Sequence, residues 1–313
     1  MTADTPAIKL LQWNVGNFDV HLRPGGRGPR GMQYTHATPS RPEDLEAMAS
    51  VIRAEAPDVI TLQEIILRQG HHKTLAELSG DYFVAAEGDP DDRHTQVILL
   101  HRGLESSSAL FPELSGFKAV AVRVRGPGAR DLIVVSTHSQ AGKFTSQRAG
   151  QHRALAAWAS KAGKSGHVVV AGDLNFDSDP GSFPHWLNGL RRRFRFIPEL
   201  ASSDWDEDCA GMKALFDALG DLSAQSGRTA GAPRLWPRIL VPWGVPMIPL
   251  AWCLGVGKRR ARLDYVLGSR ELASLGARAL RVSGPGAPGH PAAPRGAFPW
   301  MDHDPVVARF SLP

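Results

Sequence analysis

The chain has 313 residues, 42% of them hydrophobic and 21% charged, which is ample for a sizeable core in one large or two modest domains. Its two cysteines, Cys209 and Cys253, exclude a disulfide framework and favour a reducing compartment. The formal net charge of +5 mildly favours a polyanionic partner, such as nucleic acid or an acidic membrane face.

The N-terminal MTADTPAIKLLQWNVGNF has no basic region followed by an apolar run, so a secretory signal is not expected and a cytoplasmic location is. Residues 8–15 (IKLLQWNV) predict a first strand, and the Gly/Pro/Arg-rich residues 21–40 a loop. RPEDLEAMASVIRAEAPD has helical apolar spacing, with acids early and Pro57 to end it. VITLQEI is the next strand, and further strands are expected at 82–86, 95–101, 118–125 and 131–137. A helix is expected over 145–161, followed by the strand HVVVAGDLN. Several strands succeed one another without helices, which suits an α/β protein with mixed or antiparallel sheets. LWPRILVPWGVPMIPLAWCLGVG (235–257) is strongly apolar but carries four prolines and Arg238, which a spanning helix would not tolerate easily. It reads as an irregular insertion, at about 233–258, packed on the core, or as a Trp-bearing loop that dips into a membrane interface or an apolar substrate groove. Residues 283–300 read as a flexible loop.

Six stretches share one character: an acid, amide or imidazole stands at the end of an apolar strand. They are Asn14 in LLQWNVGN, Glu64 in DVITLQEI, His138 in LIVVSTHSQ, Asp173 and Asn175 in VVVAGDLNFD, Asp264 in ARLDYVLGS, and Asp302 with His303 in MDHDPVVARF. Any one of them could be a turn residue or a helix cap. Six together point to a reaction centre at the mouth of a sheet. Hard oxygen donors without cysteine suggest Mg²⁺ or Mn²⁺.

The motifs WNV, LQE, STH, GDLN, LDY and DH, in this order over residues 13 to 303, resemble the endonuclease/exonuclease/phosphatase superfamily of metal-dependent phosphohydrolases. QRAGQ, with Arg148 and Gln151, is similar to that family's Arg-x-x-Gln helix. The resemblance implies an α/β fold over 1–313 as a single domain: a four-layer α/β/β/α sandwich with two mixed, mainly antiparallel sheets facing each other. It implies Glu64 as the main metal carboxylate, Asn14 as its amide neighbour, and Asp302 as an acid able to reach a metal. Asp173 would orient or activate water, and Asn175 would hold a phosphoryl oxygen; a carboxylate can only accept from water, whereas an amide donates to phosphate without charge. His303 with Asp264 resembles a His-Asp dyad, in which His303 is a general base or a phosphate-binding cation. His138 would donate to the phosphate or the leaving-group oxygen. The chain reads Met-Asp-His where Ser-Asp-His is usual. The second acid of some relatives would fall at Asn17, although Asp19 would share its face on an extended strand.

The implied activity is Mg²⁺- or Mn²⁺-dependent hydrolysis of a phosphate ester by a monomer. The basic balance, the loop HLRPGGRGPR and the run RRRFRF at 191–196 favour a nucleic-acid phosphodiester. Peripheral membrane contact through 235–257, the AFPW stretch, and STHSQA and DHDPVVA wording similar to bacterial sphingomyelinases support the alternative, a phospholipase C-type lipid phosphodiesterase. A degenerate relative that only binds phosphate would be expected to lose an acid or the terminal histidine, and this chain keeps both.

Overall fold

The computed structural model describes residues 7–16, 23–24, 32–33, 42–92, 95–109, 119–125, 131–140, 145–176, 204–226, 263–282, 290–292 and 303–313. Segment 233–258, the run 191–196, most of 283–300, and Asn17, Asp19 and Asp302 lie outside the described residues.

In chain order the elements are β1 (Ala7–Asn14), β2 (Arg23–Pro24), β3 (Met32–Gln33), α1 (Pro42–Glu55), β4 (Val59–Ile65), α2 (His71–Leu78), β5 (Tyr82–Glu87) and β6 (Thr95–His101). They continue with β7 (Ser106–Ala109), β8 (Ala119–Val124), β9 (Asp131–His138), α3 (Thr145–Ala162), β10 (Gly166–Asp173) and α4 (Asp204–Ala218). The last strands are β11 (Gly220–Asp221), β12 (Asp264–Gly268), β13 (Ala273–Ala279) and β14 (Val306–Ser311). One six-stranded sheet runs β13-β14-β1-β4-β6-β5, and a second runs β11-β12-β10-β9-β8-β7. Each holds one parallel pair, β1 with β4 and β9 with β10; the other pairings are antiparallel. The short β2–β3 ladder falls within the stretch expected to be loop.

Strand alternation sorts the side chains into layers. From β1 and β4, Leu11, Trp13, Ile60 and Leu62 pack outward on Leu45, Met48, Ile52 of α1 and Leu75 of α2. From the second sheet, Ile133, Val135, Val168, Val170 and Tyr265 pack outward on Leu155, Ala159, Met212 and Leu215 of α3 and α4. Ile8, Leu10, Val59, Val134, Val169, Ala171 and Val266 meet between the sheets. Each of these larger aliphatics gains roughly 1.5–3 kcal/mol from full burial. The result is a four-layer α/β/β/α sandwich. Gly211 lets α3 and α4 approach closely: a Cβ there would lie 2.7 Å from the Ala149 backbone.

The expected strands and helices fall within a residue or two of their observed ends. Helix α1 opens on Pro42, whose missing N–H is harmless at a first turn, and stops at Glu55 rather than reaching Pro57. Ala56 ends the helix in the left-handed region at φ 44°, with its N–H on the Ile52 carbonyl at 2.7 Å. Helices α2 and α4 and strands β7, β11 and β13 were not foreseen from sequence.

Candidate active site

The layer between the sheets changes character along its length. Ile8 and Leu10 of β1 are followed on the same face by Gln12 and Asn14, and Val59 of β4 by Thr61 and Gln63. In the second sheet Leu132 and Val134 give way to Ser136 and His138, and Val169 and Ala171 to Asp173. The parallel strands therefore deliver their last inward residues to one rim. β12 and β14 are antiparallel to β10 and β1, so Asp264 and His303 reach the same rim from strand beginnings rather than strand ends.

Glu64 breaks the alternation, because Gln63 already faces inward. The register of β4 against β6 shifts between Leu62 and Ile65, and Glu64 itself has φ 58°. This bulge turns a side chain that would point at the helices back towards the rim. A left-handed backbone is costly for a residue with a Cβ, and such strain concentrates at functional sites. Asn175, at φ 50°, uses the same region, which asparagine tolerates well. Gly172 is required by proximity: a Cβ there would lie 1.9 Å from the Thr137 carbonyl oxygen of the neighbouring strand.

The structure brings Asn14, Glu64, His138, Asp173, Asn175, Asp264 and His303 together. Asn14 Nδ2 donates to Glu64 Oε1 at 3.0 Å and to Asp173 Oδ2 at 3.0 Å, while its Oδ1 accepts from the Gly16 N–H at 3.1 Å. His138 Nε2 lies 3.7 Å from Glu64 Oε1 and 3.6 Å from Asp173 Oδ2. His303 Nδ1 is 2.8 Å from Asp264 Oδ2, and its Nε2 is 3.6 Å from Asp173 Oδ2. Asp173 Oδ1 accepts from the Asn175 N–H at 2.8 Å, and Asn175 Nδ2 donates to the Ser139 carbonyl at 2.9 Å. Asp173 and Asp264 are buried to within 1% of complete, whereas Glu64 keeps a fifth of its side chain in solvent.

Burial pushes the Asp173 carboxyl above the usual range. The His303 imidazole opposes that rise, Asp264 reinforces it, and His138 and the Asn175 N–H oppose it. Asp173 is thus a carboxylate with raised proton affinity surrounded by donors, which suits proton acceptance from water.

Helix α3 braces this rim from behind. Arg148 Nε donates to both oxygens of Asp208 at 3.1 and 3.0 Å, Nη2 also donates to Asp208, and Nη1 reaches the Gln140 carbonyl at 3.1 Å. Gln151 Oε1 accepts the Gln140 N–H at 2.8 Å, so the backbone just past His138 is held on both sides. His152 Nε2 lies 3.1 Å from Ser139 Oγ. Burial, then the charge of Arg148, pulls that imidazole down to about 3, so it is neutral at ordinary pH.

Two sets of ligand atoms lie close enough to share a cation: Glu64, His138 and Asp173, and Asp173, Asp264 and His303, each within 4.8 Å. Two carboxylates gathered with an imidazole could hold a divalent cation, and the nitrogens make the donor set broader than the all-oxygen shell expected from sequence. Asn14 presents its N–H group, not its oxygen, to the carboxylates in this arrangement.

Acids and imidazoles from both facing sheets thus converge on one rim of an α/β/β/α sandwich, an arrangement able to hold a cation and handle protons side by side. The chain belongs to the Endonuclease/Exonuclease/phosphatase family, whose model matches residues 11–288. No match was found among curated protein sequences. Among solved structures, zebrafish (D. rerio) TDP2 humanized by 14 mutations superposes with a TM-score of 0.59 at 14% identity, over 98% of this chain and 99% of that one. An endonuclease/exonuclease/phosphatase from Bacteroides vulgatus gives 0.59 at 11% identity, covering 98% and 100%. A mannosyl-6-phosphatase from Bacteroides thetaiotaomicron gives 0.55 at 14% identity, covering 97% and 100%. At these identities the likeness is one of fold.

Sequence reasoning did not pick out Gln12, Gln63, Ser136, Ser139 or His152 as parts of the site. A signal existed for the first: Gln12 stands two residues before Asn14 and two after Leu10, and so shares the face of Ile8 and Leu10.

Proposed function

We propose that this chain is a Mg²⁺- or Mn²⁺-dependent phosphodiesterase acting on nucleic acid. The observation that carries the reading is the cluster of buried Asn14, His138, Asp173, Asp264 and His303 with part-exposed Glu64 at one rim, assembled from both sheets. Glu64 would hold the cation; Asn14 would join through its oxygen if its carboxamide turned over, and Asp302, outside the described residues, is by resemblance an acid able to reach a metal. Bound there, a divalent cation supplies charge neutralisation at the phosphoryl oxygens and acidifies water.

The chain's own groups account for the remaining steps. Asp173 accepts the proton of a water that attacks phosphorus; its Oδ1 is fixed by Asn175, and its Oδ2 accepts from Asn14 with the two histidines each 3.6 Å away. Asn175 uses one N–H on Ser139 and keeps the other for a phosphoryl oxygen. Asp264 holds His303 by Nδ1, which leaves Nε2–H to donate to the phosphoryl group. As the P–O ester bond breaks, His138 gives a proton to the leaving oxygen. Fold alone does not choose the ester. The net charge of +5 supports a polyanionic substrate, and so does likeness to zebrafish TDP2, which has been captured with a single-stranded DNA product (TM-score 0.56, 16% identity).

The test is turnover by the metal-stripped protein, with and without Mg²⁺ or Mn²⁺. The panel is plasmid DNA, single-stranded DNA, RNA, sphingomyelin and phosphatidylcholine vesicles, and a sugar phosphomonoester. Metal-dependent cleavage of DNA or RNA above the other substrates is expected. Hydrolysis confined to lipid or to the monoester, or full activity after exhaustive chelation, would overturn the reading.

A further inference from the structure

A chain of buried amides and a hydroxyl runs behind the His303–Asp264 pair and crosses the gap between the sheets three times. Gln12 Nε2, on β1, donates to Asp264 Oδ1 of the opposite sheet at 2.9 Å and to Gln63 Oε1 of β4 at 2.7 Å. Gln63 Nε2 donates across the gap to Ser136 Oγ at 3.0 Å, and that hydroxyl donates to the Leu62 carbonyl at 3.2 Å. All four side chains are fully buried. Both hydrogens of the Gln12 amide are used, so its orientation is fixed: turned over, it would face a carboxylate with an oxygen. Its Oε1 has no partner among the described residues. Leaving a buried acceptor orphaned is unfavourable, and an apolar side chain of the same length would avoid it. The packing of this layer therefore does not explain a glutamine here. Its contact with Asp264 does.

We propose that Gln12 is a positioning residue for the proposed hydrolysis, acting through Asp264. Asp264 has two carboxylate oxygens. His303 engages Oδ2 and Gln12 engages Oδ1. With both held, the carboxylate plane cannot rotate about its Cβ–Cγ bond, and the direction in which it presents Oδ2 to the imidazole is fixed. The Gln63–Ser136 pair holds Gln12 in turn, and through it one sheet sets the geometry of an acid carried by the other. Gln12 touches no substrate atom in this account; it determines where His303 points.

Gln12→Met preserves length and removes the donor together with the orphaned oxygen. With whichever substrate the wild type turns over, kcat should fall on the order of ten- to a hundred-fold, as expected for loss of a hydrogen bond to a charged group. KM should stay within about two-fold, and the thermal midpoint should fall, because Asp264 Oδ1 and Gln63 Oε1 lose their buried donor. In an Asp264→Asn background the same substitution should cost little further, because both remove one device. The ¹⁵N-histidine NMR signal of the His303 Nδ1–H should shift upfield or vanish by exchange in Gln12→Met. That signal needs no turnover, so it decides this inference even if no phosphodiester is hydrolysed. Gln12→Leu serves the same measurements should Gln12→Met fold poorly. An unchanged His303 signal, a kcat within two-fold of wild type, or full additivity with Asp264→Asn would each overturn the assignment.

Discussion

Replacing Glu55 by glutamine should destabilise the protein at neutral pH and leave it nearly unaffected near pH 2. Glu55 closes helix α1 and is 96% buried, yet it stays ionised. Its carboxylate meets Lys9 Nζ at 3.0 Å, the Arg278 guanidinium through both oxygens at 2.8 Å, and His290 Nε2 at 2.9 Å. Burial alone would raise its proton affinity; the bonds from His290, Lys9 and Arg278 together outweigh burial and bring it down from 4.5 to about 2. A carboxylate depressed in the folded state contributes stability that is complete above its unfolded value and is lost as pH falls through the folded one. At about 1.4 kcal/mol per unit, the contribution is roughly 3 kcal/mol above pH 4.5 and disappears towards pH 2. Glutamine mimics the protonated form. Urea unfolding of wild type and Glu55→Gln at steps between pH 7 and 2.5 should show two stability curves that converge as pH falls. Curves that stay parallel over that range would refute the reasoning, since the loss would then come from packing rather than charge.

Three further outcomes are expected. His303→Ala should slow turnover by about 10²–10⁴-fold and Asp264→Asn by less, with the double variant no worse than His303→Ala; additive losses in steady-state kinetics would separate the two residues. Chelation should abolish activity, and Mg²⁺ or Mn²⁺ should restore it. Glu64→Gln should keep the wild-type circular dichroism spectrum while moving the metal titration, by calorimetry, to higher concentration. Arg148→Met strands Asp208 in a dry site and should cost about 3–5 kcal/mol in urea unfolding, most of it recovered when Asp208→Leu is added.

Much of the architecture was legible because alternation and strand-ending polar residues carry long-range information. Asn14, His138 and Asp173 each end an apolar strand on its inward phase, so period two alone predicts that they share a space. Glu64 is different. Periodicity assigns it to the helix side, and only the bulge with its left-handed backbone, which no short-range rule reads, returns it to the rim. Helix α4 escaped notice because its apolar face is interrupted by Asp208 and Gly211, both chosen for what they meet on α3: a guanidinium and the close backbone of Ala149. Gln12 shares the inward phase of Asn14, but its role depends on a partner 252 positions away, which no local pattern encodes.

Because the candidate site is shared between two sheets, its dimensions are set by what lies beneath it. Glu64 and Asn14 rise from one sheet, Asp173 and Asp264 from the other, and Leu10, Val59, Val134, Val169 and Val266 fill the space that separates them. Facing sheets stand about 10 Å apart, a distance that follows the bulk of the side chains interleaved between them. The aliphatic layer is therefore a spacer as well as a core. An added or deleted methyl at Val169 or Val134 alters how far the acids of one sheet stand from those of the other, and so which ion and which phosphoryl geometry fit between them. In this architecture, tolerance of a core substitution cannot be judged from the melting temperature alone; a variant can remain fully folded and still be the wrong width.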